Sequence, residues 1–242
     1  MSAMLHQQYV FIGVLIGAFF THACFMLQAS PARCERDVGG GCRLKQPQAD
    51  IQRLFPKSTH FVIDRKTIAE YGSDALIEEI QQKLQPHPKG EVSPDAAYPI
   101  YRVFKKDRLI GYVFGMEEQG EHGPIQLILA VSPEGEIVSW YYQKFDSPEA
   151  HRFHTEAFKR QFIGLTLTDF YGHHLLKGAL GKQDRLNSIR APSQTSIRDL
   201  GTTCRGIKKA LILLDIFCLS RQFDADWKRL KALAARQGLI QE

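Results

Sequence analysis

From Pro99 onward the apolar residues recur with the period of strands, and this constrains the chain more than any other feature. "IYRVFKKDRLIGYVFGM" reads as two strands about a charged turn at Lys105 to Arg108. "PIQLILAVSPEGEIVSWYYQKF" repeats the plan, with Pro133-Glu134-Gly135 as its turn. Two consecutive hairpins make an antiparallel sheet, and one of its faces has to be covered. Helical periods on either side of the hairpins supply the cover. "GSDALIEEIQQKL" places Leu76, Ile77, Ile80 and Leu84 on one face, with Ser73 or Asp74 as cap, and a short helix is expected over Gln48–Leu54. After the hairpins, "SPEAHRFHTEAFKRQFIGL" begins at a Ser147-Pro148 helix entry and puts Phe153, Ala157, Phe158 and Phe162 on one side. A loop rich in Gly and His follows, then an apolar helix from Gly201, then a last helix carrying Phe223, Trp227, Leu230 and Leu233. The expected fold is α+β, an antiparallel sheet of consecutive hairpins packed with helices.

Ahead of this body, "YVFIGVLIGAFFTHACFMLQA" runs from Tyr9 to Ala29 without a charge. A run of that length spans a bilayer as one helix. No Lys or Arg precedes it and it is long for the apolar core of a signal peptide, so a retained anchor is expected over residues 1–29. Residues 30–47 read as a linker rich in Gly, Pro and charge, and 48–242 as the domain. Arg33, Arg36, Arg43 and Lys45 follow the span; taken alone, they would keep the domain in the cytoplasm.

The net charge of +5, from 31 basic and 26 acidic residues, is spread without a long basic run. Nucleic-acid binding leaves a clustered footprint, so that class of partner is set aside. Five cysteines are too few for a disulfide framework in 242 residues. Cys34 and Cys42 bracket "ERDVGGG": they pair if that segment lies outside the cytoplasm, or stand as unpaired thiols in a linker. A thiol redox role for the two is a weak third function, given their spacing. His151, His154, His173 and His174 have no spacing that makes them converge, so they read as exposed polar residues. No nucleophile elbow supports hydrolase chemistry.

Most of the chemistry on offer lies in "DLGTTCRG". Gly201 permits close backbone approach, while Thr202 and Thr203 can cap a helix and expose hydroxyls. The first amides of a helix lack internal partners and carry the positive end of its dipole, which suits a phosphate. Arg205, Lys208 and Lys209 add positive charge. An ordinary capped core helix explains the same residues.

The order of these segments resembles the FMN-binding domain family, which includes flavin subunits of the Rnf complex and of the sodium-pumping NADH:quinone reductase. The resemblance covers roughly residues 98–217 and rests on "GPIQLIL", "EGEIVSW", "DSPEA" and "FKRQFIG" in that order. It implies an FMN site. Family members carry Ser-Gly-Ala-Thr near the C-terminus, with the last Thr esterified to the FMN phosphate by a flavin transferase. Leu200-Gly201-Thr202-Thr203 falls under that motif, with Leu200 for the Ser and Thr202 for the Ala, so Thr203 becomes the implied attachment point. Gly201, Thr202, Thr203, Cys204 and Arg205 would hold the phosphate end, and Asp146, Ser147 and Pro148 would lie near the isoalloxazine ring. The implied function is a membrane-anchored flavoprotein relaying electrons between a membrane redox complex and another carrier. Its implied location is the extracytoplasmic side of the inner membrane, as a single-pass protein. The altered motif keeps a second class open, a flavin-free scaffold or interaction module on the same fold.

Overall fold

The computed structural model describes residues 41–72, 74–85, 92–176 and 179–240. The expected anchor, Cys34, most of the linker and the Ser73 cap therefore lie outside the described residues. Among the described residues, no helix is long and apolar enough to cross a membrane.

Five strands, β1 (His60–Lys66), β2 (Tyr98–Lys105), β3 (Arg108–Gly120), β4 (Gly123–Val131) and β5 (Ile137–Lys144), form one sheet in chain order, each antiparallel to its neighbour. The two expected hairpins are β2–β3 and β4–β5. Their turns fall where the sequence puts them, with Lys106 at φ 53 in the first and Gly135 at φ 85 in the second. β1 was not expected. It is an edge strand with only partial burial and carries His60, Asp64, Arg65 and Lys66, so no apolar alternation announces it.

Cover comes from both sides. α6 (Ile197–Phe217) crosses β3 and β4 on one face and is joined there by α2 (Asp74–Leu84), α5 (Leu167–Leu176) and α7 (Asp224–Arg236). Tyr112, Phe114, Met116, Leu127, Leu129, Trp140 and Tyr142 point into that layer. Val113, Ile128, Ala130, Tyr101 and Val103 face the other way, onto α1 (Pro47–Leu54) and the segment Gly41–Leu44. A strand buried on both faces reads as a continuous apolar run, which is why β3 and β4 show little alternation.

The last residues of the expected linker are packed against the sheet. The Cys42 amide donates to the Gly115 carbonyl (3.1 Å), the Leu44 amide to the Tyr101 hydroxyl (3.2 Å), and the Gln143 amide group to the Arg43 carbonyl (2.9 Å). Only glycine fits at position 115, since a Cβ there would lie 2.2 Å from the Cys42 carbonyl oxygen. At Gly206 of α6 a Cβ would meet the end of the Leu127 side chain at 2.5 Å.

Three local expectations need correction. The helix expected from Ser147 is two short ones, α3 (Ala150–Phe153) and α4 (Glu156–Arg160), separated at Thr155, whose hydroxyl accepts from the Phe158 amide. Phe153, Phe158 and Phe162 are buried as expected, but Ala157 is exposed because the break changes the facing. The segment that reads as a loop rich in Gly and His holds α5, stabilised by burial of Leu167, Phe170, Tyr171, Leu175 and Leu176. Tertiary burial outweighs the poor helix propensity of Gly172 and the paired histidines.

Candidate functional site

The helix that carries the Gly-Thr-Thr stretch starts four residues earlier than expected. Ser196 is the N-cap residue and Ile197 the first helical residue, so Gly201, Thr202 and Thr203 lie in the second turn. Their amides belong to the helical ladder, and the unpartnered amides are those of the first turn. The spacing Ser196-Ile197-Arg198-Asp199 is a Ser-x-x-acid start signal that could have located this terminus from sequence.

Around that turn the structure brings together the two halves of the expected site. Ser147 of the β5–α3 loop donates its hydroxyl to Asp199 Oδ2 at 2.7 Å, and both side chains are buried. Thr203 is 0% exposed and donates to the Asp199 carbonyl at 2.8 Å. Its one hydroxyl proton being used there, the Tyr142 hydroxyl, 2.8 Å away, donates to Thr203 Oγ1. Desolvation pushes the Tyr142 phenol well above its ordinary value, so it stays protonated as that donor requires. Phe145 stacks on the Tyr142 ring at 4.6 Å, and Trp140 and Phe153 meet it edge-on.

The remaining members are split between the surface of this junction and its interior. Asp146 is exposed and paired with Lys144 (3.2 Å), and Pro148 is exposed. Gly201 is exposed, with nothing within 4 Å of the place a Cβ would take. Thr202 is buried. Burial pushes the Cys204 thiol up to about 12, which keeps it a thiol at neutral pH.

Charge decides whether an FMN phosphate fits at Gly201 to Arg205. Arg205 Nε donates to Glu118 Oε2 (2.7 Å) and Nη2 to the Gln119 carbonyl (3.1 Å). Lys209 reaches the other oxygen of the same carboxylate at 3.2 Å. Arg198 pairs with Glu121. Lys208 faces away, donating to the Gln85 carbonyl (3.1 Å) on the α2 side, and burial lowers it to about 7. The anion in the first turn of the helix is the protein's own Asp199 carboxylate, a favourable place for it beside the helix dipole. A phosphate dianion at this turn would need amides that are already in the ladder, cations that already hold carboxylates, and a Thr203 hydroxyl that is enclosed. The residues in place do not fit it.

A second polar group lies between α2, α5, α6 and α7, and sequence reasoning missed it. Lys83, 1% exposed, bridges Glu79 (2.7 Å) and Asp224 (2.6 Å), and Arg221 binds the same two carboxylates. Asp215, 1% exposed, accepts one long bond from the Phe223 amide, and burial raises its carboxyl to about 6. The two cations are balanced by Glu79 and Asp224, so Asp215 carries the unbalanced charge. Among the described residues, no three His, Cys, Asp or Glu side chains are placed to hold a metal ion.

No protein-family model matches the chain, and a search of curated proteins returns no match.

Proposed function

We propose that the chain is a flavin-free interaction module on an FMN-binding-like fold, held at the inner membrane by Tyr9–Ala29 with its domain on the extracytoplasmic side. The observation that carries this reading is the enclosure of Thr203. Its hydroxyl has no exposed surface and is engaged by Tyr142 and by the Asp199 carbonyl. The neutralised Arg205 and Lys209 support it, since a dianion near Glu118 and Asp199 would meet two carboxylates first.

A second reading, an electron-transfer flavoprotein with FMN near Gly201–Arg205 and Asp146–Pro148, is favoured by one observation. The Ser147–Asp199 bond joins the loop and the helix that the resemblance implies should meet. One spectrum separates the two. The full chain, purified after co-expression with a flavin transferase and supplied with FMN, is expected to be colourless and non-fluorescent after denaturation. Flavin absorption bands would overturn the first reading in favour of the second. Orientation is tested by protease protection in sealed spheroplasts: a domain digested only after lysis would overturn the extracytoplasmic placement.

A further inference from the structure

The outer edge of β5 bears a groove that the Thr203 region does not explain. Its volume is about 260 Å³, and it runs between α1 and α4, lined among others by Arg53, Ser139, Tyr141, Lys159, Arg160 and Ile163. Arg53 is held in place: its guanidinium lies over the Tyr141 ring, 3.8 Å from the centroid, and pairs with Asp50 at 2.9 Å. Lys159 is paired with Glu156. Arg160 is exposed at the end of α4 and, among the described residues, has no carboxylate partner. Three cations thus face the groove against Glu156 and the nearby Asp50, which leaves a surplus of one positive charge at Arg160. Apolar surface shares the groove with that charge: Ile163 in its wall is 39% exposed.

Size narrows the occupant. Drug-sized and cofactor ligands fill clefts of about 300–1,000 Å³, so this groove suits one or two side chains. An exposed guanidinium next to exposed aliphatic surface complements a carboxylate flanked by an apolar side chain. We propose that the β5-edge groove docks an acidic peptide segment of a partner protein, its carboxylate on Arg160 and a neighbouring apolar side chain on Ile163. This deepens the interaction-module reading and rests on it for its biological meaning, though none of Gly201 to Arg205 lines the groove.

The test uses the full chain in lipid nanodiscs and a fluorescein-labelled octapeptide alternating glutamate and leucine, read by fluorescence anisotropy against empty nanodiscs. Saturable binding is expected. Arg160→Glu should weaken it at least tenfold and Ile163→Ser severalfold, while Arg65→Glu on the far edge strand should leave it unchanged. Both changed side chains are on the surface, and unchanged thermal unfolding of each variant shows that the fold is intact. Three results would overturn the proposal. These are equal affinity for a glutamine-for-glutamate peptide, equal affinity for a serine-for-leucine peptide, and an equal loss with Arg65→Glu. Absence of saturable binding overturns it as well. Flavin absorbance of the same sample keeps the two ideas apart: a colourless chain that ignores the peptide sinks the groove alone, and a yellow chain that binds it sinks the flavin-free reading alone.

Discussion

The Tyr142 hydroxyl donates to Thr203 Oγ1 at 2.8 Å, and the threonine hydroxyl in turn donates to the Asp199 carbonyl. This relay ties β5 to α6 in a site without water access, where an unmade bond is expensive. Thr203→Val keeps the β-branched shape but strands the Tyr142 phenol, so it should destabilise the domain by about 1–3 kcal/mol. Tyr142→Phe added to it should cost less than the two single changes together, because no buried donor is then left over. Urea unfolding of the four proteins in the cycle measures this. Strict additivity would show that the bond contributes nothing.

Gly201 offers a sharper test of what the helix mouth is for. It sits inside α6 with open space where a Cβ would go. Without a ligand on that surface, Gly201→Ala should stabilise the domain by about 0.5–1 kcal/mol through backbone entropy. The rise should appear as a higher unfolding midpoint. A loss of stability, or a loss of bound chromophore, would mean that the empty surface over residue 201 is needed.

Acid dependence should centre on Asp215. Its carboxyl is raised from 3.8 in the unfolded chain to about 6 in the fold by desolvation. The folded state therefore binds the proton more tightly, and this contribution to stability is complete below about pH 3.8 and lost as pH rises through about 6. Above that range the buried carboxylate costs roughly 1–3 kcal/mol. Asp215→Asn keeps an acceptor for the Phe223 amide and removes the charge, so it should exceed the parent in stability at pH 7.5 and match it near pH 4. Glu79 and Asp224, which burial alone would raise but which their ion pairs to Lys83 and Arg221 lower on balance, act in the opposite direction but equally in both proteins. Equal stability of the two proteins at pH 7.5 would refute the assignment.

The seating of Gly41–Leu44 depends on position 115. A methyl group there would displace the Cys42 carbonyl, so Gly115→Ala should lower stability by about 2 kcal/mol or more. Hydrogen exchange should report the cause directly: the Cys42 amide, bonded to the Gly115 carbonyl in the parent, should exchange much faster. Retained protection of that amide would show that the segment is held by other contacts.

What was legible in the sequence follows from where each signal resides. β2 to β5 announced themselves because short apolar runs bounded by turn residues such as Pro133 and Gly135 are local signals. β1 was hidden since an edge strand takes its definition from pairing with β2, and its residues need not alternate. α5 was hidden because its stability is tertiary, and Gly172, His173 and His174 look like punctuation when read alone. At the candidate site, Gly201, Thr202 and Thr203 have the composition of a cap. Residue type says who can cap, while the register of the preceding turn says who does. The meeting of Ser147 with Asp199 spans 52 residues and has no local signature. The Arg205–Glu118 pair spans 87 and has none either.

Asp199 changes the arithmetic of competition at the head of α6. A carboxylate carried on the helix itself is a tethered rival, present at an effective concentration that no dissolved anion matches when the tether is short and the geometry is fixed. Ser147 shares in this, because its hydroxyl is already spent on that rival. For any free acid or phosphate in the surroundings, the apparent dissociation constant at this helix end is the intrinsic one divided by the fraction of time the rival leaves the site open. Cellular anion levels can rise and fall without being felt there.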